Sequence, residues 1–191
     1  NPSLIYKSGK DFKTVIKEIS ELIDGPISAE VTSTVGKEMI DQGIELSKIS
    51  KNIVVKVPLT EDGLKACKEL STQNIKVNVT LCFSSAQALL AGKLGATYIS
   101  PFIGRLDDIG TSGLNLIKEI VSIYNNYNKE IKTQVLAASI RSPLQVSQVA
   151  IMGAHVATIP PKIITQMIKH PLTNSGLEIF MNDWNKTGQK F

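Results

Sequence analysis

The sequence predicts an α/β protein of the (β/α)8 TIM-barrel class, and three observations predict it. Short β-branched runs recur along the chain, segments of helical period separate them, and functional side chains gather at the C-terminal ends of the runs. The runs cover residues 27–31 (ISAEV), 52–58 (NIVVKVP), 76–82 (KVNVTLC), 97–103 (TYISPFI), 132–139 (KTQVLAAS) and 155–160 (HVATIP). Each has the length of a buried strand, and most are rich in Val, Ile and Thr. Strands that alternate with helices pair in parallel, because a parallel neighbour is reached only through a crossover connection. The rival is a doubly wound open sheet. No GxGxxG follows any run, and Gly104 stands isolated, so a dinucleotide-binding sheet is disfavoured.

The helical segments follow in order. Residues 34–47 place Val35, Met39, Ile40 and Ile44 on one stripe. Residues 60–70 open with Thr60-Glu61-Asp62-Gly63, an N-cap followed by an acidic first turn, and carry Leu64, Cys67 and Leu70 on one side. Residues 84–94 start at a Ser84 cap and run through Ala86, Leu89, Leu90 and Lys93. Residues 111–125 and 143–152 repeat the design, and Gly43, Gly95 and Gly153 stand at or near helix ends. In the tail, 174–191, Leu177, Phe180, Met181 and Trp184 recur at helical spacing. The whole of 1–191 is expected to form one barrel domain with this helical tail.

Composition narrows the function. With 42% hydrophobic and 20% charged residues, the 191-residue chain has the balance of a well-cored globular protein. No apolar run approaches the roughly 20 residues of a membrane helix, and the first residues lack a signal-peptide layout, so a cytoplasmic location is expected. The net charge of +4 comes from scattered lysines without interleaved aromatics, which favours small anionic substrates over nucleic acid. Cys67 and Cys82 sit in no CxxC and no His/Cys cluster, so they read as reduced packing residues rather than metal ligands.

A strand's side chains alternate faces with period two. Lys56 shares a face with Val54 at the end of its run, Asn78 with Thr80, and Ser100 with Phe102, which Arg105 follows in the next loop. Ser139 and Arg141 are read as continuing the face of Ala137, and Glu30 is the lone charge near the end of the first run. A barrel assembles its active site on that C-terminal face from several strands. Lys56 carries the sharpest chemistry. Between Val55 and Val57 it either snorkels at a sheet edge or is held in the barrel interior; the apolar, central strand favours the interior, where an amine able to attack a ketone and form an imine is expected. Glu30 and Thr80 read as acid–base partners across the same pocket, against the alternatives of a rim charge and a plain β-former. Arg105 and Arg141, each just beyond a strand, offer planar forks for a phosphate or are ordinary surface arginines.

The stretches Asn1-Pro-Ser-Leu-Ile, Ile27-Ser-Ala-Glu-Val, Val54-Val-Lys-Val-Pro, Lys76-Val-Asn-Val-Thr-Leu, Ser100-Pro-Phe-Ile-Gly-Arg-Leu-Asp-Asp and Leu136-Ala-Ala-Ser-Ile-Arg occur in this order. Over essentially its whole length the chain thereby resembles the small-subunit transaldolases and the related fructose 6-phosphate aldolases. The resemblance implies a (β/α)8 barrel that uses no cofactor or metal. It implies that Lys56 forms a Schiff base with the donor ketose and that Glu30 and Thr80 position a catalytic water. Asn1 and Asn78 would hold donor hydroxyls, with Ser100 a further hydroxyl contact, and Arg105, Ser139 and Arg141 would form the phosphate site. The implied reaction, in the pentose phosphate pathway, takes sedoheptulose 7-phosphate and glyceraldehyde 3-phosphate to erythrose 4-phosphate and fructose 6-phosphate.

Two positions separate the branches of the family. Its transaldolases carry Glu and Phe where its aldolases carry Gln and Tyr, and this chain has Glu30 and Phe102, which favours transfer over free cleavage. One departure stands out. The family opens with a strand bearing a catalytic Asp, then a helix and a strand ending in Thr-Thr-Asn-Pro-Ser-Leu, whereas this chain begins at that Asn. The first strand and most of the second are therefore expected to be absent here, roughly 25–30 residues at the usual length of a barrel unit. In the resembling family the terminal helix packs on a neighbouring subunit in ring-shaped oligomers, so a homo-oligomer, a decamer among the options, is expected.

Overall fold

The computed structural model describes residues 2–190. Six strands, β1 (Ile27–Glu30), β2 (Ile53–Pro58), β3 (Val77–Cys82), β4 (Tyr98–Pro101), β5 (Gln134–Ala137) and β6 (Val156–Ala157), lie in the order β1-β2-β3-β4-β5-β6. Every neighbouring pair is parallel. Each crossover is helical: α3 (Gly36–Ser47), α4 (Glu61–Thr72), α5 (Ser85–Lys93), α6 (Ile103–Asp108) with α7 (Gly113–Asn126), and α8 (Pro143–Ile151). Helices α1 (Pro2–Ser8) and α2 (Phe12–Leu22) precede the sheet, and α9 (Pro161–Ile168) and α10 (Pro171–Lys186) follow it. The arrangement is a curled parallel sheet of six strands alternating with helices, which fits a partial (β/α) barrel.

The two faces of the strands divide by residue type. Val55, Val57, Val77, Val79, Ile99 and Val135 point outward into one core with Met39, Cys67, Leu70, Ala88, Ile117 and Ile120 from the helices, all essentially inaccessible to solvent. The opposite face carries Val54, Lys56, Asn78, Thr80 and Ser100, a mostly polar set pointing toward the barrel axis. The outward set buries enough apolar surface to hold helices on sheet, at about 1.5–3 kcal/mol per fully buried aliphatic side chain, which leaves the inner set available for chemistry.

Several local expectations hold in detail. Thr60 caps α4 by accepting from Gly63 N at 3.0 Å. Ser84 and Gln87 form a reciprocal capping box on α5. Gly95 and Gly153 take positive φ just past their helices. Others need correction. Gly43 is no terminator; it lies inside α3, where a side chain would meet Leu70 Cδ1 at 2.8 Å, so it lets α3 and α4 approach closely. Val35 is the exposed N-cap residue of α3, and its core face is Gly36, Met39, Gly43 and Leu46. In α5 the buried residues are Ala88, Ala91 and Gly92, while Leu90 is exposed. Small residues face inward there because Tyr124 and Ile131 fill the space above Gly92.

Strand β4 stops at Pro101, and Ile103 starts helix α6 instead of ending a strand. The chain turns because Ile103 N and Gly104 N donate to the carbonyls of Ala138 and Ser139, at 3.0 and 3.1 Å, drawing α6 across the end of β5. Strand β6 is shorter than its β-branched run, since Pro160 and Pro161 follow closely and offer no N–H to a ladder. Helices α1, α2, α6 and α9 have no counterpart in the sequence reading. The tail is helical as expected but starts at Pro171, and none of its residues is buried. No helix among the described residues is long and apolar enough to cross a membrane.

Candidate active site

Register places the central groups. In β1, β2 and β3 the Cα partners run Glu30 to Lys56 to Asn78, so three adjacent strands present a carboxylate, an amine and an amide at one level of the same face. One step further along, Pro58 stands opposite Thr80. Lys56 Nζ lies 3.2 Å from Glu30 Oε2, with both side chains only 13% and 14% exposed. A pair this far from solvent is screened weakly, and removing either member leaves an uncompensated charge. The carboxylate is within direct proton-transfer distance of the amine.

Beside Lys56, a polar chain buried at Asn78 and Ser100 and exposed at Ser28 links three strands. Ser100 Oγ donates to Asn78 Oδ1 at 2.7 Å, and Asn78 Nδ2 donates to Ser28 Oγ at 3.1 Å. Asn78 and Ser100 are 2% and 1% exposed, so this chain fixes which way the amide points. Thr80 Oγ1 is also buried but has no hydrogen-bond partner among the described residues. The ring of Phe102 completes the wall. It sits 5.8 Å from Lys56 Nζ and 5.1 Å from Arg105 Cζ, both at cation–π distance, and meets Phe83 edge-on at 6.1 Å.

These groups open on a cavity of about 520 Å³ at the C-terminal ends of the strands. Ser28, Lys56, Asn78, Ser100, Arg105, Ser139 and Thr158 supply its polar lining, and Phe102, Leu136, Ala138, Ile140 and Ile159 are among its apolar lining. The volume and the mix of convergent polar groups on an apolar wall suit a small-molecule site. Glu30 and Thr80 do not line this space. Glu30 reaches it through Lys56 and also borders a second hollow of about 360 Å³ against α2 and α3. Arg141 stands aside too, its guanidinium gripped by Asp108 through both terminal nitrogens. Asn1 lies outside the described residues.

One phase assignment fails. Ser139 does not continue the face of Ala137: Ala137 points into the helix-side core, while Leu136 and Ala138 line the cavity. Ser139 reaches the cavity because its backbone is left-handed, φ 60°, which breaks the alternation just past β5. Ser28, absent from the candidates above, also lines the cavity; it lies two residues before Glu30, and period two alone places it on the same face. The grip of Asp108 on Arg141 carries no signal in the sequence, because the two belong to different βα units.

The fold and this lysine-centred pocket define a partial (β/α) barrel with a polar cavity at its strand ends, and comparison of the chain with known proteins makes that specific. The chain belongs to the Transaldolase/Fructose-6-phosphate aldolase family, whose sequence profile matches residues 1–191. Among its relatives are proteins named "Probable transaldolase" from Chelativorans sp. (strain BNC1), 60% identical, from Clostridioides difficile (strain 630), 58% identical, and from Thermoanaerobacter sp. (strain X514), 56% identical. Each alignment spans 190 residues, 100% of this chain and 87% of the relative.

Proposed function

We propose that this protein is a transaldolase that moves a dihydroxyacetone unit from sedoheptulose 7-phosphate to glyceraldehyde 3-phosphate through a Schiff base on Lys56. The observation that carries the reading is Lys56 itself: an amine on an inner strand, 3.2 Å from a carboxylate, facing a cavity of sugar-phosphate size. The family and the names of the relatives point the same way.

The chemistry runs as follows. Glu30 takes a proton from the Lys56 ammonium, and the free Nζ electron pair attacks the ketose C2 carbonyl. Loss of water from the carbinolamine leaves a protonated imine. A base removes the proton of the C4 hydroxyl, the C3–C4 bond breaks, and its electron pair flows into the imine to give an enamine, while erythrose 4-phosphate departs. The enamine carbon then attacks the aldehyde carbon of glyceraldehyde 3-phosphate, whose oxygen takes up a proton, and water hydrolyses the new imine to release fructose 6-phosphate. Glu30 and the buried Thr80 hydroxyl are assigned to a water that shuttles these protons. Asn78, Ser100 and, on resemblance alone, Asn1 are assigned the donor hydroxyls, with Arg105, Ser139 and Arg141 holding the phosphate. We place the reaction in the pentose phosphate pathway and in a homo-oligomeric enzyme. Glu30 and Phe102 favour transfer over release of free dihydroxyacetone.

Borohydride reduction tests the assignment. With fructose 6-phosphate present, the protein should gain a stable three-carbon adduct on the peptide containing Lys56, located by mass spectrometry. Lys56→Met should lose both adduct and turnover while keeping its circular dichroism. An adduct on another lysine, or turnover retained in Lys56→Met, would overturn the proposal.

A further inference from the structure

Helix α6 presents two residues four positions apart, Gly104 and Asp108, which therefore lie on one helical face. The side chain of Arg141, arriving from the loop after β5, lies along that face. Its Nη1 and Nη2 both donate to the carboxylate of Asp108, one to each oxygen. Its Nε passes over Gly104, where a methyl group would stand only 2.7 Å from Nε and 3.0 Å from Ser139 Oγ. The main chain of Arg141 is pinned as well. Its N–H donates to Gln145 Oε1 at 2.8 Å, and Gln145 Nε2 donates to Asp107 Oδ2 at 2.7 Å. Adjacent acids of α6 thus hold Arg141 at both ends, one directly and one through a glutamine.

A guanidinium has two edges that can form a fork of parallel hydrogen bonds, one through its terminal nitrogens and one through Nε and a terminal nitrogen. Asp108 occupies the first. The second lies beside Gly104 and Ser139 Oγ, a hydroxyl that lines the cavity. The missing side chain of Gly104 lets the Ser139–Arg141 segment pass close against α6, since a methyl group would stand only 2.2 Å from the Ser139 carbonyl oxygen. Without its carboxylate partner the long arginine side chain, half exposed, would sample many rotamers and lose that orientation on binding.

We propose that Asp108 is a positioning residue: it fixes the Arg141 guanidinium so that its Nε edge, together with Ser139 Oγ above Gly104, receives the substrate phosphate. The proposal rests on the assignment of Arg141 and Ser139 to that phosphate. Asp108 touches no substrate and acts only through Arg141. Losing it therefore raises KM for phosphorylated substrates and leaves kcat, and the KM for unphosphorylated ones, nearly unchanged.

The test compares wild-type, Asp108→Asn, Asp108→Ala, Asp108→Glu and Arg141→Ala as full chains, with thermal unfolding of each as a check of folding. KM and kcat are measured with glyceraldehyde 3-phosphate and with glyceraldehyde as acceptor, and inorganic phosphate is titrated as a competitive inhibitor. Asp108→Ala should raise KM for the phosphorylated acceptor, and the inhibition constant of phosphate, about tenfold, as expected for a misaimed contact. Asp108→Glu should recover most of the loss. In the Asp108→Ala/Arg141→Ala double variant the effects should not add. If Arg141→Ala is selective for phosphate but Asp108→Ala is silent, or tightens phosphate binding, the positioning role is overturned and the carboxylate is a bystander or a competitor. If Arg141→Ala weakens both acceptors equally, the phosphate assignment of Arg141 itself falls.

Discussion

Lys56, Glu30 and Phe102 form a unit whose members are held by different forces. The ion pair ties Lys56 to β1, and the Phe102 ring lies within cation–π distance of both Lys56 and Arg105, the cations assigned to the two ends of a sugar phosphate. An apolar ring at that place offers no proton to a carbanion forming next to it. Phe102→Tyr adds a phenolic donor at the cavity wall. The enamine should then be protonated and leave as free dihydroxyacetone more often. We expect the ratio of cleavage to transfer to rise at least about tenfold, equivalent to roughly 1.4 kcal/mol in relative barrier. Measuring dihydroxyacetone release and erythrose 4-phosphate formation on one preparation gives the ratio, and an unchanged value would reduce Phe102 to packing. Lys56 stands out in the sequence because its run is apolar on both sides and central, which argues against the snorkelling edge lysine that a lone strand lysine would otherwise be. Ser139 is legible as a polar residue past a strand, but its route into the cavity is not, because a left-handed serine breaks the period on which face assignments depend.

At the scale of elements, the close approaches are made by glycines. Gly63, in the first turn of α4, has its α-hydrogen against the carbonyl oxygen of Pro58; a methyl group would sit 1.8 Å from that oxygen. Helix α4 follows directly on the strand that carries Lys56, so the contact sets how the βα turn closes over the site. Gly63→Ala should lower stability by at least about 2 kcal/mol despite the higher helix propensity of alanine, because backbone rather than a flexible side chain must yield. A urea midpoint within error of wild type would show that the turn adjusts freely. The same feature explains why helix faces are harder to read than helix existence. Hydrophobic period locates α3 and α5, and Ser84 and Thr60 mark their own caps. The buried faces, however, run through Gly43, Gly92, Ala88 and Ala91, which a search for large apolar residues overlooks. Helix α6 is invisible for another reason: its residues continue a β-rich run, and only the tertiary bonds to the end of β5 turn them.

For the molecule as a whole, burial of thiols makes stability depend on alkaline pH. Burial pushes the Cys67 thiol up to about 11 and that of Cys82 up to about 12, and burial also raises the Tyr124 phenol. The ordinary thiol value near 9.0 describes the unfolded chain. These groups therefore favour the folded state fully below that pH, and the advantage fades as pH climbs from there through the folded-state values, because the unfolded chain sheds protons first. The loss is on the order of a few kcal/mol by pH 11. Thermal midpoints should be flat toward neutrality and fall between pH 9 and 11, and Cys67→Ala should flatten that fall; an identical slope in the variant would locate the effect elsewhere. The order of the sheet has a consequence of a different kind. Among the described strands each one after the first pairs with the one made just before it, so each of these steps of assembly closes a loop of one βα unit. Such a sheet can grow in the order in which the ribosome delivers it, each new unit docking on an edge already in place.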